Sequence, residues 1–259
     1  MILDSALLKM IIDFHTHIGK GDPFYHSTIE EEQLHIKPEK LLSEMDRCNV
    51  SKSVVIPAFR LSHRLIEANH QLAAFIKNFR NKLFAFAWLD PRIEGVCQHL
   101  DDLVRQYGFK GLKLHPVLNG YYLTNESINP LIEKCIDLRI PVLTHTGWGS
   151  LGSVNLVDKL ANRYPKAKIV IAHMIEPTCV DVAKKNENVF IETSYATHPR
   201  RITQAIKAIG ADKLIYGSDF PMGGGMEFEI SKIMLAKINK EEKERILFRN
   251  AIELLKINI

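Results

Sequence analysis

Ile11-Ile12-Asp13-Phe14-His15-Thr16-His17 is a short apolar strand that ends in two histidines two residues apart. Alternate residues of a strand project from one face, so both imidazoles can reach a single cation where the strand ends at an open site. Taken alone, a His-x-His pair is as readily two solvated side chains in a loop. The segments that follow supply the context.

Downstream, short apolar runs alternate with stretches of helical spacing. Pro38 opens a segment with Leu41, Leu42 and Met45 on one helical face, over 38–49. Ser53-Val54-Val55-Ile56 then reads as a buried strand and 65–79 as a helix. The unit repeats, with strands over 83–89, 111–115, 141–145, 168–173, 189–193 and 213–216. Helices are predicted over 95–107, 128–138, 154–164, near 180–185 and over 202–209, with terminal helices to about Leu255. With the first strand this makes eight strands, apolar on both faces as a helix-covered parallel sheet requires. Eight alternations in 259 residues predict one α/β domain over 1–259, a (β/α)8 TIM barrel. A doubly wound open sheet is the competing arrangement. The position of polar residues separates the two, because a barrel carries its active site on the C-terminal ends of several strands.

The histidines fall at those ends. His15 and His17 end strand one, Lys113 and His115 strand four, His145 strand five and His173 strand six. Asp219 follows strand eight in Tyr216-Gly217-Ser218-Asp219. The other histidines, at 26, 35, 63, 70, 99 and 198, fall in loops or helices and read as surface or helix-end residues. One strand-end histidine is ordinarily a buried hydrogen-bonding group. Several imidazoles and a carboxylate gathered in one mouth call for a cation to compensate them. Histidine nitrogens with one carboxylate oxygen suit zinc, and manganese, iron or cobalt accept the same ligands.

Composition bounds the alternatives. With 46% hydrophobic and 25% charged residues the chain has enough apolar material for a large core, and no run approaches the ~18 apolar residues of a membrane span. Residues 1–9 hold an apolar patch but lack the basic start and cleavage site of a secretory signal, so a cytoplasmic location is expected. Met10 would itself make a natural start, which leaves 1–9 as an N-terminal extension. The polar stretch 19–37, with breakers Gly21 and Pro23 and the run Glu30-Glu31-Glu32, is a candidate lid loop. Cys48, Cys97, Cys135 and Cys179 are spread without a Cys-x-x-Cys pair and read as reduced packing residues. The net charge of +4 is small, and Lys and Arg are dispersed, so the expected partner is a small-molecule substrate, not nucleic acid.

Six segments carry a resemblance: Ile12-Asp13-Phe14-His15-Thr16-His17, Gly111-Leu112-Lys113-Leu114-His115-Pro116, Thr144-His145-Thr146-Gly147, Ala172-His173, Gly217-Ser218-Asp219-Phe220-Pro221 and Ile246-Leu247-Phe248-Arg249-Asn250-Ala251. Together they span nearly the whole chain. In them the sequence resembles the amidohydrolase superfamily, most closely the amidohydrolase-related branch that includes the aminocarboxymuconate-semialdehyde and hydroxybenzoate decarboxylases. The resemblance implies that His15, His17, His145 and Asp219 bind a single divalent metal, with His173 beside it as a catalytic residue. In binuclear members a carboxylated lysine or a glutamate on strand four bridges two metals. Lys113 is lysine-compatible there, but the Lys113-x-His115 pattern is that of the mononuclear branch, so one metal is expected. The family also implies dimers or larger homo-oligomers, although no feature of this sequence locates an interface.

Two reactions fit these ligands. In the first reading, hydrolysis of a C–N or C–O bond, Asp219 takes a proton from a metal-activated water. His173 then stabilises the oxyanion or reprotonates the leaving group. The alternative is non-oxidative decarboxylation of a small aromatic or unsaturated acid, with the metal holding the carboxylate or a neighbouring hydroxyl and an acid protonating the carbon. Arg60, Arg92 and Arg200 fall near the rim, where they either grip a substrate carboxylate bidentately or are solvated. Trp148 stacks on a planar substrate or packs. His115 binds substrate, acts as an acid or packs; Asp13 buttresses the ligands or is a structural hydrogen-bond acceptor. A binuclear deoxyribonuclease is disfavoured by the absence of a strand-four glutamate and of a basic groove. A non-catalytic metal scaffold is disfavoured by the intact His173 and Asp219.

Overall fold

The structure, a computed structural model, describes residues 10–22 and 35–258. The N-terminal extension and residues 23–34 of the candidate lid lie outside the described residues. The alternation expected from the sequence is present throughout as an α/β fold. Strands β1 (Ile12–Lys20), β3 (Lys52–Pro57), β4 (Leu83–Trp88), β5 (Gly111–Leu114), β6 (Val142–His145), β7 (Ile169–Ala172), β8 (Val189–Glu192) and β9 (Leu214–Ile215) pair in parallel, each with the next. Helices α1 (Pro38–Arg47), α2 (Leu65–Ile76), α3 (Val96–Tyr107), α4 (Asn129–Leu138), α5 (Val154–Arg163), α6 (Cys179–Lys185) and α7 (Pro199–Ile209) connect them. Three more helices, α8 (Met226–Leu235), α9 (Lys240–Glu244) and α10 (Asn250–Leu255), follow β9, the last two joined by a π-helical turn. None of these is long and apolar enough to cross a membrane.

Differences from the sequence reading have local causes. A short antiparallel strand β2 (His35–Ile36) returns onto the far end of β1 through Gly19 and Lys20, a pairing that alternating apolar spacing does not announce. Helix α7 begins at Pro199, ahead of the predicted 202, because proline at the first position is preset for a helix and the His198 side chain accepts from the Arg200 amide at 3.0 Å. The last strand is shorter than predicted. Beyond Ile215 the Tyr216 amide turns to Ile246 O, at 2.8 Å. All four cysteines are free, three of them buried.

The sheet curls until its ends meet. The Phe14 amide donates to Tyr216 O at 3.0 Å and the His17 amide to Phe220 O at 2.8 Å, with a parallel bridge between Thr16 and Phe220. Alternate strand residues divide into two apolar layers. Val55, Ala85, Leu112, Ile171 and Ile191 face outward and pack under the helices. Ile12, Phe14, Val54, Ile56, Phe86, Trp88, Leu143, Val170 and Ile215 pack on one another, which strands so far apart in the sheet can do only inside its curl. Ala251 and Leu254 of α10 close that inner layer from below.

Gly111 is fixed by this inner packing. A Cβ there would lie 2.4–2.6 Å from the Phe86 ring. Gly111→Ala is therefore expected to cost about 1–3 kcal/mol through overpacking, read as a lower urea midpoint with an unchanged slope; an unshifted midpoint would show that the ring is free to move.

Asp22 anchors the exit from β1. Its amide donates to Phe59 O at 2.8 Å, Oδ2 accepts from the Leu61 amide at 2.8 Å, and Oδ1 accepts from Arg60 at 3.2 Å and Arg64 at 2.8 Å. Burial works to raise the pKa of this carboxyl, but the Leu61 amide and the two guanidinium groups outweigh it and hold it below the usual range. A folded-state pKa below the unfolded one gives stability that is present at neutral pH and lost as the pH falls through the folded value. Asp22→Asn should cost about 1–3 kcal/mol at neutral pH, and its deficit relative to the parent should shrink on acidification below pH ~4. A deficit that stays constant with pH would show that the charge contributes nothing.

Candidate metal centre at the strand ends

The inner face of each strand starts apolar and ends in chemistry. Leu143 of β6 is followed two residues on by His145, and Phe190 of β8 by Glu192; Lys113 takes the inner position of β5. β1 needs an extra device, because Ile12 and Phe14 already occupy its inner face. Asp13 pairs with Ser53 but Thr16 with Val55, so β1 carries one surplus residue between them. That bulge moves the odd-numbered residues to the inner side, and His15 and His17 enter the mouth together. His173, directly after β7, turns inward through a left-handed backbone, φ 74°; Asp219 (φ 53°), Tyr195 (φ 58°) and Trp148 (φ 53°) do the same on their loops. Non-glycine residues rarely adopt this conformation, and four of them around one mouth mark a constrained site.

The side chains converge. Nε2 of His15 and Nε2 of His17 each lie 3.2 Å from Asp219 Oδ1, and ligand atoms of His15, His173 and Asp219 fall within 4.8 Å of one another. His173, read from the sequence as a neighbour of the ligands, thus sits inside the tightest group. His173 Nε2 is 3.1 Å from His145 Nδ1, and His145 Nε2 is buried with no hydrogen-bond partner. Lys113 Nζ reaches His15 Nε2 at 2.9 Å. Burial, reinforced by Lys113 and by the neighbouring imidazoles, holds His15, His115, His145 and His173 well below the usual histidine range. Neutral imidazoles are what a cation requires of histidine ligands. Burial also pushes the Lys113 ammonium down to about 8, against the pull of Asp219 and Glu192. An orphaned imidazole nitrogen beside neutral histidines and a carboxylate is a donor set that fits a divalent cation.

The remaining candidates separate. His115 stacks between Trp88, centroids 5.3 Å apart, and His145, 3.8 Å apart, while its Nδ1 accepts from the Leu118 amide at 3.2 Å. Trp148 lies on the other face of His145 at 4.9 Å, with 61% of its surface exposed. Asp13 Oδ1 accepts from the backbone amides of His15 and Ser218, both at 3.0 Å, so it clamps the two ends of the sheet through main chain. Arg60 is buried against Asp22, and Arg92 is held by Asp90 through Nε at 2.9 Å and Nη2 at 2.7 Å. Arg200 is exposed in the first turn of α7.

Two residues beyond the sequence reading complete the site. Glu192 Oε2 lies 3.0 Å from His15 Nδ1 and 2.8 Å from Ser194 Oγ, and Ser194 Oγ lies 2.8 Å from His173 Nδ1. Burial pushes the Glu192 carboxyl up to about 8, opposed by the Ser194 and His173 amides. The signal was a carboxylate ending an apolar strand, Val189-Phe190-Ile191-Glu192, as costly to bury as the histidines were.

A family model described as Amidohydrolase matches residues 12–257. No curated protein matches the chain. Among solved structures, 5-carboxyvanillate decarboxylase from Sphingomonas paucimobilis is similar with a TM-score of 0.80 at 14% identity, covering 96% of this chain and 99% of that one. Dihydroxybenzoic acid decarboxylase from Polaromonas sp. JS666, with bound manganese and the inhibitor 2-nitroresorcinol, gives 0.78 at 17%, covering 96% and 97%. 2,6-Dihydroxybenzoate decarboxylase from Rhizobium gives 0.79 at 17%, covering 96% and 99%. At such identities the structural likeness is one of fold, while the family model spans all but the ends of the sequence. This chain belongs to the amidohydrolase family.

Proposed function

We propose that this protein is a metal-dependent decarboxylase of a small aromatic or unsaturated carboxylic acid, built on a closed (β/α)8 barrel. The observation that carries this reading is the stack of planar rings beside the His/Asp cluster. Trp88, His115, His145 and Trp148 lie face to face with interplanar angles of 17°, 12° and 24°. The outermost ring, Trp148, leaves a large apolar face open next to the candidate ligands. Such a platform suits a flat substrate whose carboxylate points at the cluster. The similarity to aromatic acid decarboxylases supports the same choice over hydrolysis, the reaction the sequence reading put first.

In this reading His15, His17, His145 and Asp219 hold one divalent cation, with His173 against them. When bound, the cation supplies electrostatic attraction for the substrate carboxylate or an adjacent hydroxyl. The chain's own residues do the rest. Trp148 fixes the plane of the acid. Asp219, with His173 beside it, takes up a proton from solvent and passes it to the carbon whose bond to the carboxylate breaks. The electron pair of that bond stays on the carbon and takes up the proton as carbon dioxide leaves. Arg60 and Arg92, already engaged by Asp22 and Asp90, are weaker candidates for a carboxylate grip than their sequence positions suggest. Zinc is the first expectation from the ligand chemistry, and the manganese of the Polaromonas structure makes manganese the metal to test beside it.

Elemental analysis after chelator-free purification should find about one divalent cation per chain, whereas two would recruit Lys113 as a bridging ligand. His145→Ala and Asp219→Ala should each weaken manganese or zinc binding by more than about 100-fold, beyond the loss typical of a supporting residue. Retention of the metal by both variants would remove them from the ligand set. With a panel of small hydroxybenzoic acids, substrate absorbance should decay only with metal present. Trp148→Ala should then raise KM by about 2- to 10-fold, the worth of one aromatic contact, with kcat little changed. Hydrolysis of esters or amides without loss of any acid would overturn the decarboxylase reading.

A further inference from the structure

Glu192 is buried at the end of β8, and donors surround both of its oxygens. Oε2 accepts from the His173 amide at 3.2 Å and from Ser194 Oγ at 2.8 Å, and faces His15 Nδ1 at 3.0 Å; Oε1 accepts from the Ser194 amide. The two amides can only donate. With the Glu192 carboxyl ionised, the one proton of Ser194 Oγ goes to it. Toward His173 Nδ1, 2.8 Å away, the same oxygen can therefore only accept. His173 then carries its proton on Nδ1 and a lone pair on Nε2. That lone pair meets His145 Nδ1 at 3.1 Å, so His145 donates there and keeps its own lone pair on Nε2, the buried atom that has no partner. The hydrogen bonds run one way, from His145 through His173 and Ser194 to the carboxylate.

We propose that Glu192 is a positioning residue that sets the proton placement of three site histidines, His15 by direct contact and His173 and His145 through Ser194, leaving each with an unprotonated Nε2. A carboxylate that orients a metal-binding imidazole is a known device; here one carboxylate serves three rings, two of them through a hydroxyl relay. Gly217 belongs to the same arrangement. A Cβ at that position would lie 2.7 Å from Glu192 Cγ, Cδ and Oε1, so the glycine before Ser218 leaves the room in which the carboxylate sits. The use made of the three lone pairs rests on the proposed function; the proton placement does not.

The test is long-range 1H–15N correlation on metal-free protein labelled in its histidine rings, at a pH above the value of about 8 to which burial raises the Glu192 carboxyl, with manganese affinity measured by calorimetry alongside. In the parent, His15, His145 and His173 should all be protonated at Nδ1. Ser194→Ala should drive His173 and His145 toward mixed tautomers while His15 stays unchanged, a split that a general loss of stability would not produce. Glu192→Ala should release all three rings. If that variant fails to fold, Gly217→Ala displaces the same carboxylate without removing a donor or acceptor. Manganese should bind about 10- to 100-fold more weakly to the Ser194 and Glu192 variants. Protonation of His15 or His173 at Nε2 in the parent, or a His173 signal indifferent to Ser194→Ala, would overturn the inference. The stated tautomers in a parent that binds neither manganese nor zinc would support it and defeat the decarboxylase reading instead.

Discussion

The site exists because the first strand is hydrogen-bonded to the chain beyond the last. The Phe14 and His17 amides reach Tyr216 and Phe220, and one oxygen of Asp13 takes the amides of His15 and Ser218 together. These contacts join residues some 200 positions apart, and they bring Asp219 against the ring nitrogens of His15 and His17. No local preference holds those groups together. Loosening the seam would separate the carboxylate from the imidazoles before it unfolded the sheet, because each neighbouring strand pair is otherwise independently bonded. Metal affinity is therefore a more sensitive report of this seam than global stability is.

Much of this was legible in the sequence, because burial and function use the same periodicity. Parallel strands covered on both faces must be apolar throughout, so a histidine or lysine at their ends stands out against Val, Ile and Leu. That contrast locates His15, His17, Lys113, His115, His145 and His173 in one mouth without coordinates. It also misleads where backbone geometry intervenes. For Asp13 it left two roles open, and the structure gives its Oδ1 the structural one, accepting from main-chain amides. Arg60 and Arg92 looked like rim cations, yet each is claimed by a nearby aspartate whose spacing carries no signal.

The residues that were missed share a cause. Glu192 ends an apolar strand as the histidines do, but its part, like that of Ser194, lies in hydrogen-bond direction, which depends on which atom meets which and not on spacing along the chain. The bulge in β1 and the left-handed residues His173, Asp219, Tyr195 and Trp148 are equally invisible to periodicity, since each breaks the alternation that periodicity assumes. They are also where the site departs from regular structure, as expected of strained positions held by their surroundings. His173 illustrates the consequence. A regular continuation of β7 past the inward-facing Ala172 would point its ring away from the mouth, and the φ of 74° brings it back into the ligand group.

In the proposed reaction the clustered ligands and the ring stack together remove carbon dioxide from a planar acid. The most direct measurement is the reaction of metal-loaded protein with a hydroxybenzoic acid carrying 13C in its carboxyl group, run in D2O and followed by carbon and proton NMR. Labelled carbon dioxide and bicarbonate should appear in step with one deuteron on the ring carbon that lost the carboxylate, both abolished by Asp219→Ala. A label that stays on the organic product, or deuterium incorporation that persists in the variant, would contradict it.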